Sequence, residues 1–156
     1  PKPTIMKYKL LLLFLGFSTA FFAQKTDYNT KKGYVAEGYD VVSYFTEKKP
    51  LEGKKKFQTS IDGAKFKFSS EENLTLFKAN PKKYIPQYGG YCAYAMAAKK
   101  TKMYIDAESY EIRDGKLYLF YSSFFGNKLE DWQEEDTKGL QKKGDKNWEE
   151  LMYKKN

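Results

Sequence analysis

The chain has 156 residues, a formal net charge of +8 and 41% hydrophobic residues, with 12 Phe, 14 Tyr and 2 Trp, which suits one packed domain and excludes wholesale disorder. It contains no His and a single Cys, Cys92. Those two counts exclude an internal disulfide, a Ser-His or Cys-His catalytic pair and any His-ligated metal made from this chain alone.

Residues 1–23 read as an export leader, with Met6 as the start and Pro1 to Ile5 upstream of it. Lys7 and Lys9 give the positive end, and Leu10 to Ala23 is an apolar run. A bilayer span takes about 20 apolar residues, so this run fits a signal peptide better than an anchor. Cleavage after Ala20 or Ala23 is expected, and the product would be periplasmic or secreted. The leader holds three lysines and no acid, so its removal lowers the net charge from +8 to +5. No later stretch is apolar enough to span a membrane. Arg113 is the only Arg, and the Lys pairs are scattered between apolar segments, which argues against nucleic acid as a partner.

Residues 24–33 are polar and read as a flexible linker, leaving 34–156 as a single domain with a C-terminal helical extension. Asp40 is placed to cap a helical turn at Val41 to Phe45. Phe57 to Ile61 and Ala64 to Phe68 flank Asp62-Gly63, a hairpin signal, with Phe66 and Phe68 on one face and Lys65 and Lys67 on the other. A helix follows from about Glu71 to Ala79, capped by Ser69 or Ser70 and stopped at Asn80-Pro81; Pro81 starts a short turn that holds Tyr84. The small-residue run Tyr91 to Ala98 predicts a second, largely buried helix, with Gly89 and Gly90 before it permitting close backbone approach. A second hairpin is expected around Asp114-Gly115. Phe124 to Tyr153 reads as one or two amphipathic helices, broken near Gly139 or Gly144, that pack their Trp residues on the hairpins. The predicted class is α+β: a small antiparallel sheet of two hairpins covered by helices.

Three groups of residues offer chemistry. Cys92 and Met96, four apart in the buried helix, are two soft ligands suited to copper, or else ordinary core residues. Tyr84, Tyr88, Tyr91 and Tyr94 cluster around the Gly pair and are able to line a pocket or to pack half-buried. The acidic groups Glu71-Glu72, Glu134-Glu135-Asp136 and Glu149-Glu150 read as solvated faces rather than acid/base pairs.

Residues 38–94 resemble the YHS domain family. The resemblance is carried by Gly38-Tyr39-Asp40-Val41-Val42-Ser43-Tyr44-Phe45, by Asp62-Gly63 with Phe66-Lys67-Phe68-Ser69-Ser70, by Phe77 with Asn80-Pro81-Lys82-Lys83-Tyr84, and by Tyr88-Gly89-Gly90-Tyr91-Cys92. The last run and the Asp-Gly-Lys-Leu-Tyr-Leu strand look like the exported branch of the family, which extends the likeness over most of the mature chain. The resemblance implies metal binding through cysteines, and the positions implied for them are Ser43, Ser69 and Asn73 here. A hydroxyl or amide is a poor substitute for thiolate at a soft-metal site. The expectation is therefore a non-enzymatic, exported YHS-type binding or accessory module without a cofactor, whose partner is an unknown small ligand or envelope protein. Its candidate cleft is lined by Tyr44, Tyr88, Gly89, Gly90, Tyr91 and Cys92. The alternatives are a copper-binding envelope protein using Cys92 and Met96 and, third, a His-independent enzyme.

Overall fold

The computed structural model describes residues 23–155, so the expected leader lies, apart from Ala23, outside the described residues. Both Asp-Gly pairs form tight turns. Asp62 and Gly63 have φ of 52° and 81°, Asp114 and Gly115 of 52° and 70°, the left-handed geometry that two-residue hairpins require. The first turn joins β3 (Lys54–Ile61) to β4 (Ala64–Phe68), with Ile61 opposite Ala64. The second joins β5 (Asp106–Arg113) to β6 (Lys116–Phe120), with Arg113 opposite Lys116.

The fold is α+β, as expected, but the two hairpins stand in separate sheets. β1 (Thr30–Lys31) and β2 (Tyr34–Val35) add to the first hairpin in the order β1-β2-β4-β3, and β2 runs parallel to β4. The polar stretch 24–33, expected to be a flexible linker, is tied down: Asp27 N–H donates to the Met152 carbonyl at 2.7 Å and Asn29 N–H to the Gly89 carbonyl at 2.9 Å. Its side chains remain largely solvated, Gln24, Lys25, Thr30, Lys31 and Lys32 being exposed.

Helices fill the rest. α1 (Ser43–Thr46) is one turn, α2 (Glu71–Ala79) is capped by Ser70, whose hydroxyl accepts from Asn73 N–H at 3.1 Å, and α3 (Pro81–Tyr84) starts on Pro81. α4 (Ala93–Lys99) begins one residue after Cys92, so Cys92 is a helix boundary residue and not an interior one. A short hairpin, β7 (Ser122–Ser123) with β8 (Gly126–Asn127), precedes α5 (Lys128–Glu134) and α6 (Thr137–Leu151). The break between these two helices falls at Glu135-Asp136, not at Gly139 or Gly144. Asp136 caps α6 by accepting from Gly139 N–H at 3.1 Å, and Gly144 sits inside the helix because Tyr88 packs against it, leaving no room for a Cβ.

Two cores result. Val35, Val41, Tyr44, Phe66, Phe68 and Phe77 build the first with Leu117 and Leu119; Cys92, Met96 and Trp132 build the second with Tyr118 and Phe120. β6 is the wall between them, because alternate strand residues point to opposite faces. Trp132 is anchored by donating from Nε1 to Glu111 Oε2 at 2.9 Å, and Arg113 grips the same carboxylate through two bonds of 2.9 Å. Among the described residues, both cores are built from residues between Tyr28 and Leu151, all within 24–156.

Candidate functional site

The geometry gathers Ser43, Ser69 and Asn73 around one side chain, Asp40, which is wholly buried. The loop after Tyr39 makes an Asx turn: Asp40 Oδ1 accepts from Val42 N–H at 2.9 Å and Ser43 N–H at 3.3 Å. Oδ2 accepts from Ser69 N–H at 2.9 Å, from the Ser69 hydroxyl at 2.7 Å and from Asn73 Nδ2 at 2.7 Å. Ser43 closes the other side, its hydroxyl donating to the Asp40 carbonyl at 2.7 Å and accepting from Leu51 N–H at 3.0 Å. The start of α1, the end of β4 and the first turn of α2 thus meet on one carboxylate.

A carboxylate offers about four lone-pair directions. Five donors occupy those of Asp40, so a cation there would first have to displace hydrogen bonds. Among the described residues no buried side-chain N or O lacks a partner, and no group of three or more His, Cys, Asp or Glu is disposed to hold a metal ion. The sequence placed Asp40 as a helix cap. It missed the reach to Ser69 and Asn73, 29 and 33 residues on, because that contact depends on tertiary packing.

The residues expected to line one cleft are divided. Tyr44 lies in the first core and donates its hydroxyl to the Ala107 carbonyl at 2.6 Å. Tyr88 lies in the second and donates to Asp145 Oδ1 at 3.1 Å. Tyr88 and Gly89 together border a shallow depression with Tyr28, Pro86 and Trp148, whereas Tyr91 borders another with Asp27 and Lys102. Gly90 is buried, and its carbonyl accepts from Asn29 Nδ2 at 3.0 Å. The Gly pair does permit close approach: a Cβ on Gly89 would meet Trp148 at 2.7 Å and the Asp27 carbonyl at 3.0 Å, and φ there is +62°.

Cys92 and Met96 are both fully buried in the second core. Burial pushes the Cys92 thiol up, against the opposing pull of hydrogen bonds from neighbouring backbone. Such a thiol resists forming the thiolate that a nucleophile or a metal ligand needs. Of the other tyrosines, Tyr84 is buried and Tyr94 donates to Glu135 at 2.7 Å. The acidic groups at 71–72, 134–136 and 149–150 are exposed.

A larger concavity, about 890 Å3, lies elsewhere, on the outer face of the first sheet. Lys31, Lys32, Lys55, Lys65 and Lys67 line it, against only two carboxylates, Glu37 and Asp106. The Lys65 and Lys67 ammonium groups both rest against the Tyr34 ring, 4.5 and 4.6 Å from its centroid. The alternation of β4 put these two lysines on the outer face. Their convergence with Lys31 and Lys32 required the β2–β4 pairing, for which the sequence carries no local signal.

Residues 42–88 match the family model of the YHS domain, a span that runs from the turn after Asp40 to Tyr88, just before the Gly pair, and includes Ser43, Ser69 and Asn73. Comparison with curated proteins and with solved structures gives no match. A motif order legible in residues 38–94, a family match within that stretch and an α+β fold that brings the motif's polar positions together converge on one assignment: the chain carries a YHS domain at residues 42–88.

Proposed function

We propose that this protein is a non-catalytic binding module of the cell envelope, exported by its leader, whose YHS frame is closed by an internal carboxylate instead of presenting ligands to a soft metal. The observation that supports this reading is the saturation of Asp40 by donors from Ser43, Ser69 and Asn73, the positions where the family resemblance implies cysteines. Thiolates repel a buried carboxylate, whereas hydroxyl and amide groups donate to it. The apolar run Leu10 to Ala23 behind Lys7 and Lys9 supports export.

Titration of residues 24–156 with Zn2+ and with Cu(I) tests the reading. The natural sequence is expected to take up neither with one-to-one stoichiometry. The variant Ser43→Cys, Ser69→Cys, Asn73→Cys with Asp40→Ala is expected to gain Zn2+ binding, because the three positions already converge. Tight one-to-one Cu(I) uptake by the natural sequence, lost in Cys92→Ser, would instead establish the copper alternative through Cys92 and Met96.

A further inference from the structure

The hairpin of β7 and β8 turns through Phe124 and Phe125, whose side chains are 97% and 95% exposed. Their rings touch only edge to face, centroids 5.4 Å apart at 89°. Single exposed apolar residues are ordinary on protein surfaces; two adjacent phenylalanines held bare at the tip of a paired hairpin mark a contact surface. The first residue of that hairpin, Ser122, lines the lysine basin.

The basin is poorly neutralised from within. Glu37 is already bound to Lys31 and to Ala107 N–H, and Asp106 accepts from Glu108 N–H at 2.9 Å. Among the described residues Lys32, Lys55, Lys65 and Lys67 have no carboxylate within ion-pair distance. Two like charges held against one Tyr34 ring repel each other, and an external anion relieves that repulsion. The cations are lysines, point charges without the planar fork that specific anion recognition favours.

We propose that this face docks on an anionic lipid bilayer, with Phe124 and Phe125 in the interfacial layer and the lysine basin over lipid phosphates. The proposal gives a partner to the binding-module reading and rests on it. A bilayer is the surface that presents phosphate charge directly beside hydrocarbon, and here an exposed aromatic turn follows two residues after Ser122, which lines the lysine basin. The scale fits: Ser122 to Phe125 spans at most about 10 Å, comparable with the ~5–10 Å depth of interfacial insertion. An acidic protein would satisfy the lysines but leave the bare Phe pair without a purpose.

Co-sedimentation of residues 24–156 with vesicles is the test, phosphatidylcholine alone against phosphatidylcholine with phosphatidylglycerol. Binding is expected only to the mixed vesicles and is expected to weaken with salt. Lys65→Gln with Lys67→Gln should lower partitioning roughly ten- to thirty-fold. Phe124→Ser with Phe125→Ser should lower it roughly ten-fold, with unchanged thermal unfolding because both side chains are solvent-exposed. Amide exchange should slow across 122–127 when vesicles are added. Equal partitioning of the Phe variant and the natural sequence would overturn the proposal, as would binding of inorganic phosphate without binding to vesicles. A lipid-free dimer abolished by the Phe substitutions would also overturn it, in favour of a second copy of the chain. Failure on vesicles with no metal uptake removes this inference and leaves the module reading standing, whereas metal uptake in the titration removes the module reading itself.

Discussion

Three of the five donors around Asp40 are backbone N–H groups, from Val42, Ser43 and Ser69, and these cannot turn away. They face both carboxylate oxygens. An amide at this position would therefore point its NH2 at a backbone donor whichever way it is turned. Asp40→Asn is expected to destabilise the protein by about 2–4 kcal/mol, nearly as much as Asp40→Ala, which strands the same buried donors. Urea unfolding of both variants checks this, and a near-neutral Asp40→Asn would show that the clasp contributes little. At this scale the sequence was half legible. Asp40 and Ser70 announced themselves by their place before helical turns, and Ser70 caps α2 as expected. The convergence of Ser43, Ser69 and Asn73 was accessible only through the family motif, because nothing local ties residues so far apart in the chain.

Individual elements were legible where their signal was a turn or a cap. Both Asp-Gly hairpins and α2 stand where the residues placed them. The C-terminal helices were legible as helices but not at their break, since Gly139 and Gly144 looked like breakers and neither is one. Gly144 yields an inverted expectation. Ala inside a helix is ordinarily favoured over Gly by about 1 kcal/mol. Here the added Cβ would lie 2.5 Å from the Tyr88 hydroxyl and 2.6 Å from the ring carbon bearing it. Gly144→Ala should therefore destabilise by about 1–3 kcal/mol, and Tyr88→Phe, which removes the hydroxyl, should recover part of the loss in a double-mutant cycle. Gly144→Ala melting above the natural protein would show that α6 can shift away from Tyr88. The hairpin at Phe124-Phe125 was absorbed into the helical reading. Gly126-Asn127 just after it was the turn signal available in the sequence.

The described residues form two cores sharing one strand, and the response to pH follows from titratable groups packed in and around them. Burial raises the phenols of Tyr44 and Tyr88, and burial with the nearby Asp27 pushes Tyr91 up to about 12. A tyrosine whose folded-state pKa is raised contributes stability that is whole below its unfolded value of about 10 and drains away as pH rises through the folded value. The acid side has the opposite sign. Burial alone would raise the Glu111 carboxyl, but hydrogen bonds from Arg113, Gln133 and Trp132 outweigh it and hold the group below its ordinary 4.5. Its contribution is present above that value and is lost as pH falls through the folded one. Thermal melting against pH, followed with tyrosinate absorbance, should show an alkaline loss that begins near pH 10 and a milder acid loss in which Glu111→Gln no longer takes part. An alkaline limb unchanged in Tyr88→Phe and Tyr91→Phe would exclude these phenols as its source.

Thr26 forms a β-bridge with Tyr153, and Lys154 N–H donates to the Lys25 carbonyl at 3.1 Å. The polypeptide thus comes in and goes out through a single doorway. That doorway lies two residues from Tyr28, which packs on the first core, and two from Leu151, which packs on the second, so loosening it would be felt in both interiors.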